Sequence, residues 1–297
     1  MLDTQMLDRI EQGAGFIAAL DQSGGSTPKA LKVYGIEEDA YTNDHQMFAL
    51  IHAMRCRIMT ARSFTGDKII GAILFEKTMD SNAGGKPVPQ LLWERGIVPF
   101  LKVDKGLEAE ANGVQLMKPM PELDPVLETA KAQGVFGTKM RSVVHKASPS
   151  GIAAIVKQQF VVAEQILGHG LLPILEPEVS IESTERSRCD VMVFEAISRE
   201  LNTLAEGRKI MLKLSLPMRP NLYAPLVNHP RVARLAALSG GFSRDQACAE
   251  LAKNRGVIAS FSRALLQDLH HSMTDKAFDH ALGSAITQIY AASTAKV

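Results

Sequence analysis

The chain has 297 residues, of which 46% are apolar and 22% charged, and its formal net charge at pH 7 is +1. This length suits one large α/β domain or two small ones, and the near-neutral charge argues against a nucleic-acid-binding or membrane-surface protein. No apolar run is long enough for a membrane-spanning helix, and the N-terminus lacks the features of a signal peptide. Three widely spaced cysteines predict neither disulfides nor a metal site, so we expect a cytoplasmic protein.

A short amphipathic helix is predicted for residues 1–15, with Gly13 as its stop. Eight apolar runs follow along the chain, and we interpret each as a strand that is covered on both faces. The runs are residues 16–21, 68–75, 98–104, 135–141, 171–178, 208–217, 231–239 and 257–263.

Segments with a helical spacing of apolar residues separate these runs. Helices are predicted for residues 150–167, 188–204 and 244–253, with Ser150 as the cap of the first, and a last helix lies near the C-terminus. Strands that alternate with helices over this length predict an α/β fold. The predicted fold is a single-domain (β/α)8 TIM barrel over residues 1–297, with a short N-terminal helix and a C-terminal helix. A doubly wound open sheet is the alternative, but no Gly-x-Gly-x-x-Gly turn follows the first strand.

Polar side chains are concentrated where the predicted strands end. They are Asp21, Lys102, Asp104, Lys139, Arg141, Glu176, Glu178, Lys213, Ser239, Ser262 and Arg263. In a barrel, the C-terminal ends of the strands carry the catalytic groups, whereas the opposite rim serves stability. A single charge at a strand end is usually a salt bridge, but functional groups on seven strands indicate an active site.

Lys213 lies in the middle of an apolar strand whose own sequence offers no neighbouring acid. An unpaired buried ammonium is costly, so burial should lower the pKa of this lysine and make its amine a nucleophile for carbonyl carbons. We expect Lys139 to lie nearby and to lower the pKa of one or both lysines by repulsion. The structural alternative is a lysine that reaches the surface or forms an ion pair.

Glu176 and Glu178 share a face of their strand, as do Lys139 and Arg141, because side chains alternate along a strand. The glutamates are predicted to carry protons during imine chemistry. One of them, more readily Glu178, is expected only to pair with a lysine. Magnesium bound by both glutamates and Asp21 is an alternative that we rate low, because the lysines compete with a cation.

Two groups of loops have the composition of an anion site. Ser239-Gly240-Gly241 and Ser262-Arg263 follow strands seven and eight, where barrels often bind phosphate with backbone N–H groups, a hydroxyl and a cation. Ser23-Gly24-Gly25-Ser26 is either a second cradle or a glycine turn in which Ser26 or Thr27 caps a helix. Seven cations face four acids at this rim, which predicts a small phosphorylated substrate. The cations are Lys29, Lys102, Lys105, Lys139, Arg141, Lys213 and Arg263.

Zinc chemistry is disfavoured because histidines are its usual ligands and none of the eight histidines ends a predicted strand. Thiol chemistry is also disfavoured, because Cys56 and Cys248 lie in helical segments without a nearby base.

Seven short motifs stand in one order from the first strand to the last and cover nearly the whole chain. They are residues 18–26, 101–106, 137–141, 175–178, 211–213, 238–241 and 260–265. Each motif is weak by itself, but the ordered set resembles class I fructose-bisphosphate aldolase, particularly the shorter bacterial branch of that family.

This resemblance implies a reversible, metal-independent and cofactor-free cleavage of fructose 1,6-bisphosphate to dihydroxyacetone phosphate and glyceraldehyde 3-phosphate. It assigns Lys213 to the Schiff base, Glu176 to proton shuttling beside Glu178, Lys139 to polarising the intermediate and Asp21 to the C4 hydroxyl. The residues predicted to bind the substrate and its phosphates are Ser239, Gly240, Gly241, Ser262, Arg263, Lys102, Ser23, Ser26 and Arg141.

The chain departs from the animal members at three positions: Gln22 stands where they have glutamate, Ser262 where they have glycine, and Ala30, next to Lys29, where they have arginine. Many members also carry a mobile terminal tyrosine, whereas Tyr290, the last tyrosine here, falls in a predicted helix. The alternatives are another Schiff-base barrel, such as a transaldolase or deoxyribose-phosphate aldolase, and an inactive binding protein on the same scaffold. The expected partner is a phosphorylated sugar, with no nucleic acid or membrane, and a homo-oligomer is compatible with the resemblance.

Overall fold

The computed structural model describes residues 2–297 and contains a closed barrel of eight parallel strands. The strands are β1 (Phe16–Leu20), β2 (Ile69–Leu74), β3 (Val98–Lys102), β4 (Gly137–Val144), β5 (Leu172–Val179), β6 (Ile210–Ser215), β7 (Val232–Leu238) and β8 (Ile258–Phe261). Each strand pairs with the next, and β8 pairs with β1 to close the ring. The predicted (β/α)8 barrel is confirmed.

Helices lie between the strands, and a long helix follows β8. The helices are Thr4–Gln12, Ser26–Val33, Asp44–Thr60, Glu76–Met79, Val88–Glu94, Leu123–Ala132, Pro149–Gly168, Arg186–Leu201, Ala224–Val227, Arg244–Ala252, Arg263–Leu266 and Asp275–Thr294, with a 3-10 turn at Glu38–Ala40. Gly13 terminates the first helix, as predicted.

The cap predicted for the helix Pro149–Gly168 was wrong by two residues. Ser148, not Ser150, is the N-cap, and its hydroxyl accepts a hydrogen bond from the N–H of Gly151. Pro149 explains the difference, because the residue before a proline is excluded from the helical region and proline itself suits the first helical position.

Strands β4 and β5 run beyond the points where the sequence predicted them to end. A short strand at Val114–Gln115 pairs antiparallel with the end of β4, and β5 stays in register with β4 up to Val179. His145 therefore directly follows a strand, contrary to the expectation that no histidine would. Its ring Nε2 lies 2.9 Å from the side-chain oxygen of Gln115, so it fastens the added strand.

The lower barrel is filled by a buried apolar cluster whose members point inward from the strands. This cluster includes Ala19 of β1, Ile174 of β5 and Met211 of β6, and it is closed from below by Met6 and Ile10 of the N-terminal helix. Side chains two residues apart on a strand share a face. The residues two positions after the cluster members therefore point into the barrel one layer higher, toward its C-terminal mouth.

The C-terminal residues contact the opposite end of the barrel. The ammonium of Lys296 donates to the carbonyl oxygens of Leu251, Val257 and Ala292, of which Val257 immediately precedes β8. Tyr290 lies at the same end, with Lys68, the residue before β2, 6.0 Å from its ring centroid. Within residues 2–297, none of the helices has both the length and the apolar character needed to cross a membrane.

Candidate active site

Charged side chains form the layer above the buried apolar cluster. Glu176 stands two residues after Ile174, Lys213 two after Met211, and Asp21 two after Ala19. Because the strands alternate their faces, all of these side chains point into the barrel. Lys139 of β4 completes the set, and the side chains of Lys139, Glu176 and Lys213 are only 3–6% exposed.

Glu176 bridges the two buried lysines. Its Oε1 lies 2.9 Å from Lys213 Nζ, and its Oε2 lies 3.1 Å from Lys139 Nζ. The expectation of an unpaired ammonium at Lys213 was therefore wrong, because the neutralising acid comes from the adjacent strand. The same contact supplies the amine with a proton acceptor within hydrogen-bond distance.

Lys139 is surrounded by acids. Its Nζ lies 2.7 Å from Asp21 Oδ2 and 3.9 Å from Asp104 Oδ2, in addition to its contact with Glu176. Burial disfavours the ammonium, but the three carboxylates outweigh burial and raise the pKa of Lys139 well above its usual value. Repulsion was predicted to lower the pKa of one or both lysines, and for Lys139 that prediction was wrong.

The acids in this cluster are held ionised. Burial opposes the charge on Asp21 and on Glu176, but the lysine ammoniums outweigh burial and keep both pKa values below the ordinary range. Lys139 contributes most of the opposing charge in each case, and Lys213 contributes next. At neutral pH both carboxylates are therefore proton acceptors, not donors.

Asp104 is a member of the site that the sequence reasoning did not assign a role. Its Oδ1 lies 2.8 Å from Lys102 Nζ, while its buried Oδ2 has no hydrogen-bond partner among residues 2–297. Lys102 also donates to the backbone oxygen of Asp104 at 2.7 Å. The signal was present in the sequence, since an acid two residues beyond an inward lysine at a strand end lies on the same inward face.

Glu178 and Arg141 form a separate pair above this layer. The Arg141 guanidinium donates to Glu178 Oε2, and within the described chain Glu178 has no lysine within 4.0 Å. Burial disfavours the guanidinium, but the charge of Glu178 outweighs it and raises the pKa of Arg141. The expectation that one glutamate would mainly serve an ion pair agrees with this contact, although the partner is an arginine.

The loops after β7 and β8, for which the sequence predicted a phosphate site, lie next to each other. Gly240 and Gly241 have φ angles of 62° and 120°, in the region that favours glycine. A Cβ placed on Gly241 would lie 3.4 Å from the Arg263 guanidinium, so the two loops are adjacent. Arg263 is exposed and has no carboxylate within 4.0 Å in residues 2–297. Ser239, buried just after β7, accepts from the N–H of Phe242 through its carbonyl oxygen.

Ser262 contacts the residue that follows Asp21. The Gln22 side-chain amide donates to the Ser262 hydroxyl at 2.7 Å. Gln22 is held in turn by Arg55, a fully buried residue of the helix Asp44–Thr60. No feature of the sequence identified Arg55, because it sits between apolar residues of an ordinary helix.

The Ser23-Gly24-Gly25-Ser26 segment forms a local turn. The Ser26 hydroxyl donates to the carbonyl oxygen of Ser23 and accepts from the backbone N–H of Ser23. Gly25 is the N-cap of the following helix and makes no side-chain cap bond, so neither Ser26 nor Thr27 is the cap. Ser26 remains exposed on the rim of the barrel mouth.

Cys56 has a base that the sequence reasoning missed. Its sulfur lies 3.2 Å from His52 Nε2, one helical turn earlier. Burial nonetheless raises the pKa of the Cys56 thiol, which opposes the thiolate form.

Comparison with known proteins agrees with this geometry. A family model described as class-I fructose-bisphosphate aldolase matches residues 4–237. The chain is 52% identical over 290 residues to the fructose-bisphosphate aldolase class 1 of Synechocystis sp., and the match covers 97% of each protein.

Two solved structures share the fold. The fructose-bisphosphate aldolase of Plasmodium falciparum, solved with TRAP and a small-molecule inhibitor, matches with a TM-score of 0.75 at 20% identity, over 100% of this chain and 97% of that one. The aldolase of Slackia heliotrinireducens DSM 20476 matches with a TM-score of 0.53 at 12% identity, over 97% and 88% of the two chains. With its family match and its near full-length relative, the chain belongs to the class I fructose-bisphosphate aldolase family.

Proposed function

We propose that the chain cleaves fructose 1,6-bisphosphate reversibly to dihydroxyacetone phosphate and glyceraldehyde 3-phosphate through a Schiff base on Lys213. The observation that carries the proposal is the placement of Glu176 between Lys213 and Lys139, at 2.9 Å and 3.1 Å. An enclosed amine beside an ionised carboxylate is the arrangement that imine formation requires.

Imine formation uses Lys213 and Glu176. Glu176, whose low pKa keeps it ionised beforehand, first takes a proton from the Lys213 ammonium. The amine nitrogen then bonds to the C2 carbonyl carbon of the substrate, and Glu176 gives this proton to the C2 oxygen, which becomes a hydroxyl. Glu176 next takes a second proton from the nitrogen of the carbinolamine. Glu176 then returns a proton to the C2 hydroxyl, which leaves as water. Lys139 remains protonated because its pKa is raised, so its positive charge stabilises the oxygen at C2 while that oxygen carries negative charge.

Carbon–carbon cleavage uses Asp21. The C4 hydroxyl gives its proton to the Asp21 carboxylate as the C3–C4 bond breaks, and the bonding electrons move into the enamine on Lys213. Glyceraldehyde 3-phosphate leaves, the enamine is protonated at C3, and water releases dihydroxyacetone phosphate. Asp21 is suited to this step because it is ionised and is held 2.7 Å from Lys139.

The phosphates are assigned to the rim. Arg263, Ser262 and the Ser239-Gly240-Gly241 turn surround one position, where the N–H groups of Gly240 and Gly241 donate to no group among residues 2–297. We assign Lys102, Ser23, Ser26 and Arg141 to the other end of the sugar. Free amides, a hydroxyl and an unpaired guanidinium support the binding of a phosphate dianion.

Reductive trapping tests the proposal. The protein is incubated with dihydroxyacetone phosphate, reduced with borohydride and digested, and the modified lysine is located by mass spectrometry. We expect one adduct, on Lys213. An adduct on Lys139 or Lys102, or none, would refute the mechanism.

Activity in excess EDTA tests the metal alternative. The three carboxylates that the magnesium hypothesis requires are each paired with a cation, Asp21 and Glu176 with Lys139 and Glu178 with Arg141. We therefore expect full cleavage activity in EDTA, measured with a coupled assay for glyceraldehyde 3-phosphate. Loss of activity that added Mg²⁺ restores would favour the metal mechanism.

A further inference from the structure

Gln22 and Ser262 connect two loops at the barrel mouth. Gln22 is the second residue after β1 and Ser262 the first after β8, and these strands are neighbours in the barrel. The amide of Gln22 donates to the Ser262 hydroxyl at 2.7 Å and to the carbonyl oxygen of Ala19 at 3.3 Å.

Arg55 holds Gln22 in place through hydrogen bonds. Its guanidinium donates to the backbone oxygen of Gln22, to the Gln22 side-chain oxygen at 3.3 Å and to the Thr78 hydroxyl at 2.8 Å. Burial lowers the pKa of Arg55 to about 10, and it has no carboxylate within 4.0 Å among residues 2–297. A buried cation without an acid needs neutral acceptors, and Gln22 provides two of them.

The contact determines how the Ser262 hydroxyl is oriented. Arg55 engages the oxygen of the Gln22 amide, so its NH2 group faces Ser262, and the Ser262 oxygen acts as acceptor. The hydroxyl hydrogen is therefore left to donate elsewhere. Arg263, the next residue, is exposed and lies against Gly241, so a phosphate at this loop would meet both groups.

We propose that Gln22 is a positioning residue for phosphate, which orients the Ser262 hydroxyl as a donor to the phosphate held by Arg263. The proposal rests on the proposed function, because it takes the bound anion to be a phosphate of the sugar. Among residues 2–297, Gln22 forms no hydrogen bond with Lys213 or Glu176, so we expect its effect to fall on substrate affinity, not on the covalent steps.

A double-mutant cycle tests the proposal. Ser262→Ala removes the donor, and Gln22→Leu removes the group that orients it. Each variant should raise KM for fructose 1,6-bisphosphate about fivefold, the effect of one hydrogen bond, and leave kcat within about twofold of the parent. The double variant should raise KM no further than Ser262→Ala alone, because both changes remove one interaction.

Gln22→Glu is the variant that best preserves the fold, because it keeps the shape of the side chain and gives Arg55 a carboxylate. A carboxylate has no hydrogen to donate, so it would accept the Ser262 hydroxyl hydrogen and turn it away from the phosphate. We expect a raised KM for this variant with an unchanged or higher midpoint of thermal unfolding. A wild-type KM would overturn the proposal.

Gln159→Leu is the matched control. Gln159 is also buried and donates to a serine hydroxyl, that of Ser142, at 3.0 Å, but it lies in the helix Pro149–Gly168 outside the barrel. It should lower the unfolding midpoint without changing KM.

Borohydride trapping of every protein separates the two proposals. If the parent forms no Lys213 adduct, the proposed function fails and the role of Gln22 fails with it. If the adduct forms but the KM effects of Gln22→Leu and Ser262→Ala multiply in the double variant, only the role of Gln22 is refuted.

Discussion

Three carboxylates lie within 4.0 Å of Lys139 Nζ, whereas among residues 2–297 only the Glu176 carboxylate lies within 4.0 Å of Lys213 Nζ. The two lysines therefore differ in what their removal leaves behind. Without Lys213, Glu176 still has Lys139 at 3.1 Å. Without Lys139, Asp21 loses its partner at 2.7 Å, and three buried carboxylates face one another with less opposing charge.

We predict that Lys213→Met and Lys139→Met separate activity from stability. Lys213→Met should reduce cleavage on the order of 10⁴-fold or more, as loss of a covalent nucleophile does, and change the free energy of unfolding by only about 1 kcal/mol. Lys139→Met should lower the free energy of unfolding by about 3–5 kcal/mol at pH 7, because it leaves uncompensated buried charges. Urea unfolding followed by circular dichroism measures both.

The pH dependence provides the control for this interpretation. The pKa of Asp21 is lowered from its ordinary value of 3.8, so its stabilisation is complete above that pH and is lost as the pH falls. Lys139→Met should therefore recover part of its deficit in acid, where the carboxylates are protonated. A deficit that stays constant from pH 7 to pH 3 would contradict the assignment of its cause to buried carboxylates.

At the scale of elements, the helix Arg186–Leu201 holds the loop that follows β6, the strand of Lys213. Arg186 donates to the backbone oxygen of Leu216, and Asp190 accepts from the N–H of Met218 at 2.9 Å. Asp190 is buried, and its second carboxylate oxygen has no hydrogen-bond partner within residues 2–297. Burial raises the pKa of Asp190 from 3.8 to about 6, although the Met218 N–H and Arg186 oppose the rise.

We predict that Asp190 makes the protein less stable as the pH rises from about 4 to about 6. In that window the folded state binds the Asp190 proton and the unfolded state releases it, so the free energy of unfolding falls with pH. The loss reaches about 3 kcal/mol at pH 7. Asp190→Asn keeps an acceptor for the Met218 N–H and removes the charge, so it should stabilise the protein at pH 7 and not at pH 4.

Thermal unfolding of both proteins between pH 4 and pH 7 measures this difference. Ser198→Ala is the control. It removes a hydroxyl of the same helix that donates to the Phe194 carbonyl oxygen, and it should show no pH-dependent effect. An equal effect of Asp190→Asn at both pH values would indicate that the carboxylate is already ionised at pH 4.

Much of this architecture was predictable from the chain because its signals are local. The eight apolar runs identified the eight strands, and Gly13 ended the first helix as expected. Contacts between elements were not predictable in the same way. The partner of Lys213 comes from β5, and the extra length of β4 depends on pairing with Val114–Gln115, which has no signal within β4 itself.

The order of polar residues predicted which groups meet, but not how they pair. Glu176, Lys139 and Lys213 were assigned to one site from the positions at which their strands end, and the structure brings them together. The pKa direction at Lys139 was wrong because it was inferred from Lys213 alone, whereas three acids determine it. The pKa of a buried group depends on charged side chains from every neighbouring strand, so the sequence of one strand does not predict it.

At the scale of the whole molecule, the barrel mouth is electrically almost balanced before substrate arrives. Five of the seven cations assigned to this rim from the sequence are paired: Lys139 and Lys213 with Glu176, Lys102 with Asp104, Arg141 with Glu178, and Lys105 with Glu76. Among residues 2–297, Lys29 and Arg263 are the two of the seven without a carboxylate within 4.0 Å.

This balance has a kinetic consequence. Of these seven cations, two have no carboxylate partner among residues 2–297 and can attract an approaching bisphosphate from a distance, so we expect the seven to steer substrate capture weakly and its rate to respond little to ionic strength. We expect kcat/KM for fructose 1,6-bisphosphate to fall by no more than about threefold between 50 and 200 mM NaCl at constant pH, measured in stopped flow. A tenfold fall would mean that the paired lysines also act at long range. With weak electrostatic steering, the enzyme would bind its substrate at a similar rate in dilute and in concentrated salt.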